Sequence, residues 1–142
     1  MMSAVTETDR WHSLQYSPME SAGNFYGDGI ALYFYLWPNL MLNILPDRLQ
    51  TNRIIPIAVD RCRVDFDFYY PPDATAEAIK LRAQDQRFSD DVQAEDADIC
   101  ERVQRALTCG RYQPGRLNPK RENALFHFQE QLRSAYREAG VS

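Results

Sequence analysis

A carboxylate interrupts the apolar side of the segment from Ser89 to Leu107. Val92, Ile99 and Val103 recur at helical spacing, and Asp96 fills the vacant position on the same stripe, four residues after Val92. A buried carboxylate is costly unless a partner compensates its charge. The spacing therefore predicts a cation, a metal ion or a set of hydrogen-bond donors at Asp96, and the choice among them decides the function.

A structural alternative exists for the same residue. If Ser89 caps this helix, Asp96 belongs to its acidic first turns, where carboxylates favour the positive end of the helix dipole. The residues alone leave both readings open.

Other catalytic chemistry has weak support in the sequence. There is no G-x-S-x-G motif and no glycine-rich phosphate loop, and the two histidines, His12 and His127, stand far apart. We expect His12 in a strand and His127 on the flank of the last helix with a hydrogen-bonded ring. Neither is predicted to bind a metal ion.

The cysteines also exclude two kinds of site. Cys62, Cys100 and Cys109 are odd in number and show no C-x-x-C or Cys/His spacing, so the sequence predicts neither a disulfide framework nor a zinc site. This usage fits a reducing cytoplasm.

Composition bounds the remaining classes. The 142 residues suit one domain, and the net charge of -4, with no basic stripe, argues against nucleic acid as a partner. The first residues lack the pattern of a signal peptide, and the longest apolar run is broken by Pro38 and Asn39, so no membrane span is predicted.

The elements that must position Asp96 follow an α+β order, with strands in the first half and helices in the second. Little periodicity precedes Gly27 apart from a possible strand at Trp11–Tyr16, so we expect an open sheet of four or five strands. Pro56 predicts a bulge or an edge within its strand. The predicted strands are 30–37, 40–44, 49–59 and 61–69, and the predicted helices are 74–84, 89–107 and one opening at Asn118-Pro119.

The strand from Arg61 to Tyr69 alternates most clearly. Cys62, Val64, Phe66 and Phe68 point one way, and charged residues point the other. We expect one core face and one solvated face that carries a cross-strand ladder of charges.

Three stretches of the chain resemble a known family. They contain the words WPNLMLN, QAEDADICERVQ and GRLNPKRE, in the order and spacing found in the C-terminal part of the catalytic domain of Rieske-type non-haem iron oxygenase large (α) subunits. The resemblance runs from about Trp11 to the end. Within that family the chain is most similar to the branch with choline and glycine betaine monooxygenases.

The resemblance implies a fold and a metal. The fold is α+β, a helix-grip of the Bet v 1/START type with an antiparallel sheet packed on long C-terminal helices, here incomplete. The resemblance places the family's carboxylate ligand to a mononuclear Fe(II) on Asp96, with Glu95 preceding it as a neighbour of the ligand.

The family's other site groups lie upstream of these words. Its two histidine ligands, its inter-subunit electron-transfer acid and its Cys/His motifs for a [2Fe–2S] cluster have no counterpart in the sequence. Residues 1–142 are therefore expected to be the C-terminal portion of the catalytic domain, without the Rieske domain and the His-ligand segment. A truncated gene product is favoured over a deliberately short protein, and the chain alone is expected to be inactive.

The resemblance also implies reactants and partners. The intact protein would use O2 and electrons from NAD(P)H, delivered by a ferredoxin or reductase, and would be a cytoplasmic homotrimer. It would either hydroxylate an aromatic compound or oxidatively demethylate a quaternary amine, by mono- or dioxygenation. Tyr33, Tyr35 and Trp37 could line its substrate pocket, with cation–π contacts if the substrate is an amine, although ordinary core packing explains the same rings.

Two further hypotheses come from other classes. A non-catalytic helix-grip module would hold a small ligand without metal and would pair Asp96 with an arginine. A structural remnant would fold poorly or serve as an assembly partner, with an exposed sheet edge.

Overall fold

The computed structural model describes residues 5–18 and 29–141. These residues form six strands followed by two helices, which confirms the predicted α+β order. The elements are β1 (Val5–Thr8), β2 (His12–Pro18), β3 (Ile30–Leu36), β4 (Leu40–Leu45), β5 (Arg48–Ala58), β6 (Arg61–Tyr69), α1 (Ala76–Thr108) and α2 (Asn123–Glu138).

The strands make one antiparallel sheet in which each strand pairs with its neighbours in the chain, in the order β1 to β6. The sheet exceeds the four or five strands expected, because β1 pairs with the predicted strand β2 from Val5↔Tyr16 to Thr8↔Ser13. With a single apolar residue, β1 gives no alternation in the sequence, and its pairing is what makes it a strand. The sequence also predicts little periodicity in the rest of the region before Gly27, and most of that region, residues 1–4 and 19–28, lies outside the described residues.

The predicted turns and the bulge are confirmed. Pro38 and Asn39 form the turn between β3 and β4, where Asn39 Nδ2 donates to the Ile54 carbonyl at 2.8 Å. The β5–β6 register shifts between Pro56 and Ala58, as a missing backbone N–H requires. The pairing of β5 with β4 ends at Arg53, so among the described residues Pro56 pairs only with β6, and the bulge lies where β5 is an edge on its other side.

The charged face of β6 forms the expected ladder. Arg63 Nε lies 2.8 Å from Asp65 Oδ1, and Arg53 Nη2 of β5 lies 3.5 Å from the other oxygen of the same carboxylate. The opposite face is only partly a core, because Phe66 and Phe68 are half-buried while Val64 is exposed.

The helical boundaries differ from those predicted. The helices expected at 74–84 and 89–107 are one continuous helix, α1, whose N-cap is Thr75 and not Ser89. Asn118-Pro119 does not cap α2 directly. It opens a turn in which Asn118 Oδ1 accepts from the Lys120 N–H at 2.9 Å, and α2 begins at Asn123.

The described chain divides into two compact units. One combines Met1–Pro71 with Arg116–Ser142 and holds the sheet and α2, and the other is Pro72–Gly115 and holds α1. Within the first unit α2 packs on β1 and β2. Neither described helix has the length and apolar character needed to span a membrane.

Candidate functional site

Asp96 lies in the middle of α1, about five turns from the start of the helix at Ala76. The position is too far from the N-terminus for a capping role, because the dipole effect fades within the first turn. The structure thus rules out the first-turn explanation of this carboxylate, which depended on a helix beginning at Ser89.

The expected burial of the stripe was wrong for the chain as described. No residue of α1 is buried, and its apolar members Val92, Ile99 and Val103 are 36–51% exposed. Asp96 and its neighbour Glu95 are exposed as well. The carboxylate of Asp96 therefore has no large desolvation cost in this chain. Only its spacing from Val92 and Ile99 places it on the apolar stripe.

Asp96 takes no part in the ion pairs found on α1. Asp98 lies 2.6 Å from Arg102, and Glu101 lies 3.8 Å from Arg105, both with the four-residue spacing that brings side chains together on a helix. The residue four positions after Asp96 is Cys100, and no described cation pairs with Asp96. The arginine partner required by the non-catalytic module is thus missing from the described residues.

The described residues do not make an iron site by themselves. Across residues 5–18 and 29–141 no group of three histidine, cysteine or acidic side chains is arranged to hold a metal ion. A mononuclear non-haem iron site needs two imidazoles and a carboxylate on one face. The donor chemistry here fits only one carboxylate of such a site.

Of the three aromatic residues named for a pocket, Tyr33 and Tyr35 lie on one face of β3, and Trp37 follows the end of that strand. Tyr35 packs edge-on against Phe128 of α2, with ring centroids 5.4 Å apart, and Trp37 lies 6.2 Å from the same ring. Tyr33 lies two residues before Tyr35 on the strand and is 38% exposed. Two of the three rings are therefore engaged in packing the sheet onto α2.

Burial raises the pKa of Tyr35, whose hydroxyl donates to the Pro38 carbonyl at 2.8 Å. This hydrogen bond ties the ring to the turn that ends β3. The side chain is thus held from both ends, by the turn at its hydroxyl and by Phe128 at its ring.

His127 does not behave as expected. Its Nε2 atom is buried without a hydrogen-bond partner among the described residues, and so is Oε1 of Gln131, one turn later on α2. Both side chains line a cleft of about 480 Å³ together with Trp11 and Trp37. His12 lies in β2 as expected, 6.2 Å from the ring of Phe34.

The sequence does not predict this cleft. His127 and Gln131 have the four-residue spacing of one helix face, and that spacing was the available signal. The cleft itself arises only when α2 meets the residues that join β1 to β2, which no local pattern in the sequence announces.

Comparison with known proteins gives relatives for most of the chain. Residues 1–138 match the model of the ring hydroxylating α subunit catalytic domain. The chain is 38% identical to the chloroplastic choline monooxygenase of Arabidopsis thaliana over 87 residues, which are 61% of this chain and 20% of that protein. It is 29% identical over 103 residues to the chloroplastic choline monooxygenase of Atriplex hortensis, covering 69% and 22%.

Solved structures share the fold. A quaternary ammonium Rieske monooxygenase, CntA, solved with its substrate γ-butyrobetaine, superposes with a TM-score of 0.71 at 23% identity, over 94% of this chain and 38% of that one. Another solved structure of a quaternary ammonium Rieske monooxygenase, described for carnitine oxidation by gut microbiota and inter-subunit electron transfer, gives 0.72 at 22% identity, over 94% and 39%.

These matches show the fold of the chain and how much of its relatives it covers. The sheet and helices have the fold of the Rieske oxygenase catalytic domain, as expected from the sequence, and the chain spans about a fifth of the length of the curated relatives. Because the family model covers nearly all of the sequence, the chain belongs to the ring-hydroxylating oxygenase α-subunit family, as part of its catalytic domain.

Proposed function

We propose that residues 1–142 are the C-terminal portion of the catalytic domain of a Rieske non-haem iron oxygenase and that Asp96 is its carboxylate ligand to Fe(II). The observation that carries this proposal is the position of Asp96 in line with Val92 and Ile99 on the apolar stripe of α1, within the segment that matches the catalytic-domain model. In this proposal Glu95 supports the ligand from the adjacent position. The two imidazoles and the [2Fe–2S] domain belong to protein outside these residues.

The proposed substrate is a quaternary amine. Relatives named for choline and for quaternary ammonium compounds support this class over an aromatic hydrocarbon. Of the three rings named for the pocket, Tyr33 is not packed against Phe128 and would supply an electron-rich ring face, which attracts a quaternary ammonium group. The bound iron would supply dioxygen activation, and mono-oxygenation is favoured over dioxygenation because the relatives are monooxygenases.

Electron supply and assembly complete the proposal. Electrons would come from NAD(P)H through a ferredoxin or reductase, and the intact protein would be a homotrimer. The exposed free thiols of Cys62, Cys100 and Cys109 support a reducing compartment such as the cytoplasm. Residues 1–142 alone would not oxygenate a substrate, since the described part offers one of three ligands.

Asp96→Asn in the intact oxygenase, meaning this chain together with its Rieske domain and its two histidine ligands, tests the ligand assignment. We expect bound mononuclear iron, measured by metal analysis after correction for the [2Fe–2S] iron, to fall at least about tenfold, because a neutral amide lacks the negative charge of the carboxylate that such an Fe(II) site uses. Demethylation of choline or a betaine should be lost with it.

Asp91→Asn is the matched control, because it makes the same chemical change at an exposed residue of α1 that has no part in the proposed site. It should keep most of the iron. Full iron occupancy in Asp96→Asn, or equal losses in both variants, would refute Asp96 as the ligand. Retained iron with turnover of an aromatic acid and not of the amine would refute the substrate class alone.

A further inference from the structure

The cleft on α2 is built by backbone hydrogen bonds as well as by side chains. The Trp37 N–H donates to the Trp11 carbonyl at 2.9 Å, and Gln131 Nε2 donates to the Arg10 carbonyl at 2.7 Å. These bonds hold the β1–β2 connection, the end of β3 and α2 around one space of about 480 Å³. The volume lies in the range of small-molecule sites.

Both acids that line the cleft have partners along α2. Glu130 pairs with Arg133, which lies outside the cleft lining, and this ion pair offsets its charge. Glu138 Oε1 accepts from the hydroxyl of Ser134, which also lines the cleft, at 3.3 Å, and keeps its charge at the end of α2.

The bases that line the cleft lack such partners. Arg10 lies over the ring of Trp11, 4.9 Å from its centroid, an arrangement that leaves the edge of the guanidinium available for hydrogen bonds. Arg137 lines the same space, and no carboxylate among the described residues pairs with either guanidinium. The cleft therefore offers a ligand two guanidinium groups, whose paired N–H donors match the geometry of a carboxylate.

Two buried polar atoms complete the lining. Nε2 of His127 and Oε1 of Gln131 have no partner among the described residues, and leaving such groups unpaired costs free energy. The Gln131 oxygen can only accept a hydrogen bond, whereas the His127 nitrogen can donate one in the tautomer that carries its proton there. A ligand that satisfies both must bring an acceptor and a hydroxyl or amide hydrogen.

The geometry points to a binding site for a small aromatic hydroxycarboxylate in this cleft. The carboxylate is held by Arg10 and Arg137 with a hydrogen bond from His127, the hydroxyl donates to Gln131 Oε1, and the ring packs against the tryptophans. The site uses no residue of Pro72–Gly115, so this proposal does not depend on whether Asp96 binds iron.

The two tryptophans of the chain, Trp11 and Trp37, both line the cleft, so fluorescence excited at the red edge of indole absorption reports on it directly. Titration of the 142-residue chain with mandelate should give a saturable change, with a Kd on the order of 1–10 mM for a ligand of this size. Phenylacetate, which lacks the hydroxyl, should bind about threefold more weakly. Mandelamide, which lacks the charge, should bind at least about tenfold more weakly.

Arg137→Gln should weaken mandelate binding at least about fivefold, and Arg10→Gln provides a second variant of the same kind. Arg121→Gln is the matched control, because Arg121 is exposed in the turn before α2 and does not line the cleft. Circular dichroism establishes that each variant is folded. Equal binding of mandelate and mandelamide, an unchanged Kd in both cleft variants, tighter binding of a cation such as benzylammonium, or no saturable signal would each overturn the proposal.

Discussion

Tyr35 illustrates how one side chain can satisfy a packing role and a polar role at once. Its ring meets Phe128 of α2 edge-on, and its hydroxyl reaches the Pro38 carbonyl. Aromatic pairs in this geometry contribute beyond the area they bury, and a neutral hydrogen bond adds about 1 kcal/mol. The residue therefore fixes the end of β3 against α2 whatever further contact it makes with a substrate.

Tyr35→Phe isolates the polar role, because it keeps the ring and removes the hydroxyl. We expect the free energy of unfolding to fall by about 1 kcal/mol near neutral pH, measured by urea denaturation. Burial raises the pKa of Tyr35 above its ordinary value of 10.0, so the folded state retains the proton longer than the unfolded state. The stability from this difference is complete below pH 10 and is lost as the pH rises through the folded-state pKa, and Tyr35→Phe should make that alkaline loss smaller.

The alkaline loss should not vanish in the variant. The pKa of Tyr16 is also raised, by burial first and then by the nearby charge of Glu7. Tyr33→Phe is the control, since the Tyr33 hydroxyl has no hydrogen-bond partner in the described part of the chain. An unchanged unfolding free energy in Tyr35→Phe, or the same decrease in Tyr33→Phe, would contradict the role assigned to the Pro38 contact.

At the scale of elements, strands were predictable where their two faces differ in polarity. The alternation in β6 set both its boundaries and its charged face, because a half-solvated strand demands that pattern. Residues Val5–Thr8 of β1 carry no such pattern, and only pairing with β2 reveals the strand. Local sequence cannot announce a strand that depends on its neighbour.

In the helical region the sequence predicts a boundary that the structure lacks, because Ser89 has the residue type of an N-cap. The interval from Ala76 to Thr108 contains neither glycine nor proline, and a serine inside a helix costs only a fraction of a kcal/mol. The helix therefore continues through it. Asp96 was found by its spacing on the stripe, but its environment depends on what faces α1 in a whole catalytic domain, which a helix-period argument does not contain.

Thr75 is the cap that the longer helix needs. Its hydroxyl accepts a hydrogen bond from the Ala78 N–H at 3.3 Å, and its own N–H donates to Asp73 at 2.8 Å, the bond that contributes most to lowering the pKa of Asp73. Thr75→Ala removes the capping bond and the side-chain hydrogen bond to Asp73, keeps the backbone bond to Asp73, and should destabilise the first turn of α1 by about 1 kcal/mol. Hydrogen exchange at the amides of that turn measures the change.

Thr75→Ser keeps the capping oxygen and should leave this exchange nearly unchanged. Equal acceleration in the serine and alanine variants would mean that the lost methyl group matters and the cap does not. Acceleration spread evenly along all of α1 would mean that the helix opens as one body and does not fray from its first turn.

For the whole molecule, the distribution of buried side chains separates the two compact units. Every buried residue of the described chain lies in the unit with the sheet, including Leu14, Ala31 and Leu45, whereas α1 buries none. Large apolar side chains of α1 such as Phe88 remain exposed. Helices of this kind draw their stability mostly from local terms, since burial of an apolar face is what usually stabilises a helix in a protein.

We therefore expect the chain to lose its structure in two steps. Hydrogen exchange resolved by mass spectrometry should give low protection along Ala76–Thr108 and much higher protection in β3 and β4, which have a paired strand on both sides. Mild denaturant should melt α1 first, because the free energy that opens the sheet includes burial that α1 lacks. The sheet peptides serve as the internal control in the same experiment. A single cooperative transition, with equal protection in α1 and in the sheet, would show that the chain folds as one unit and that α1 buries its stripe in solution.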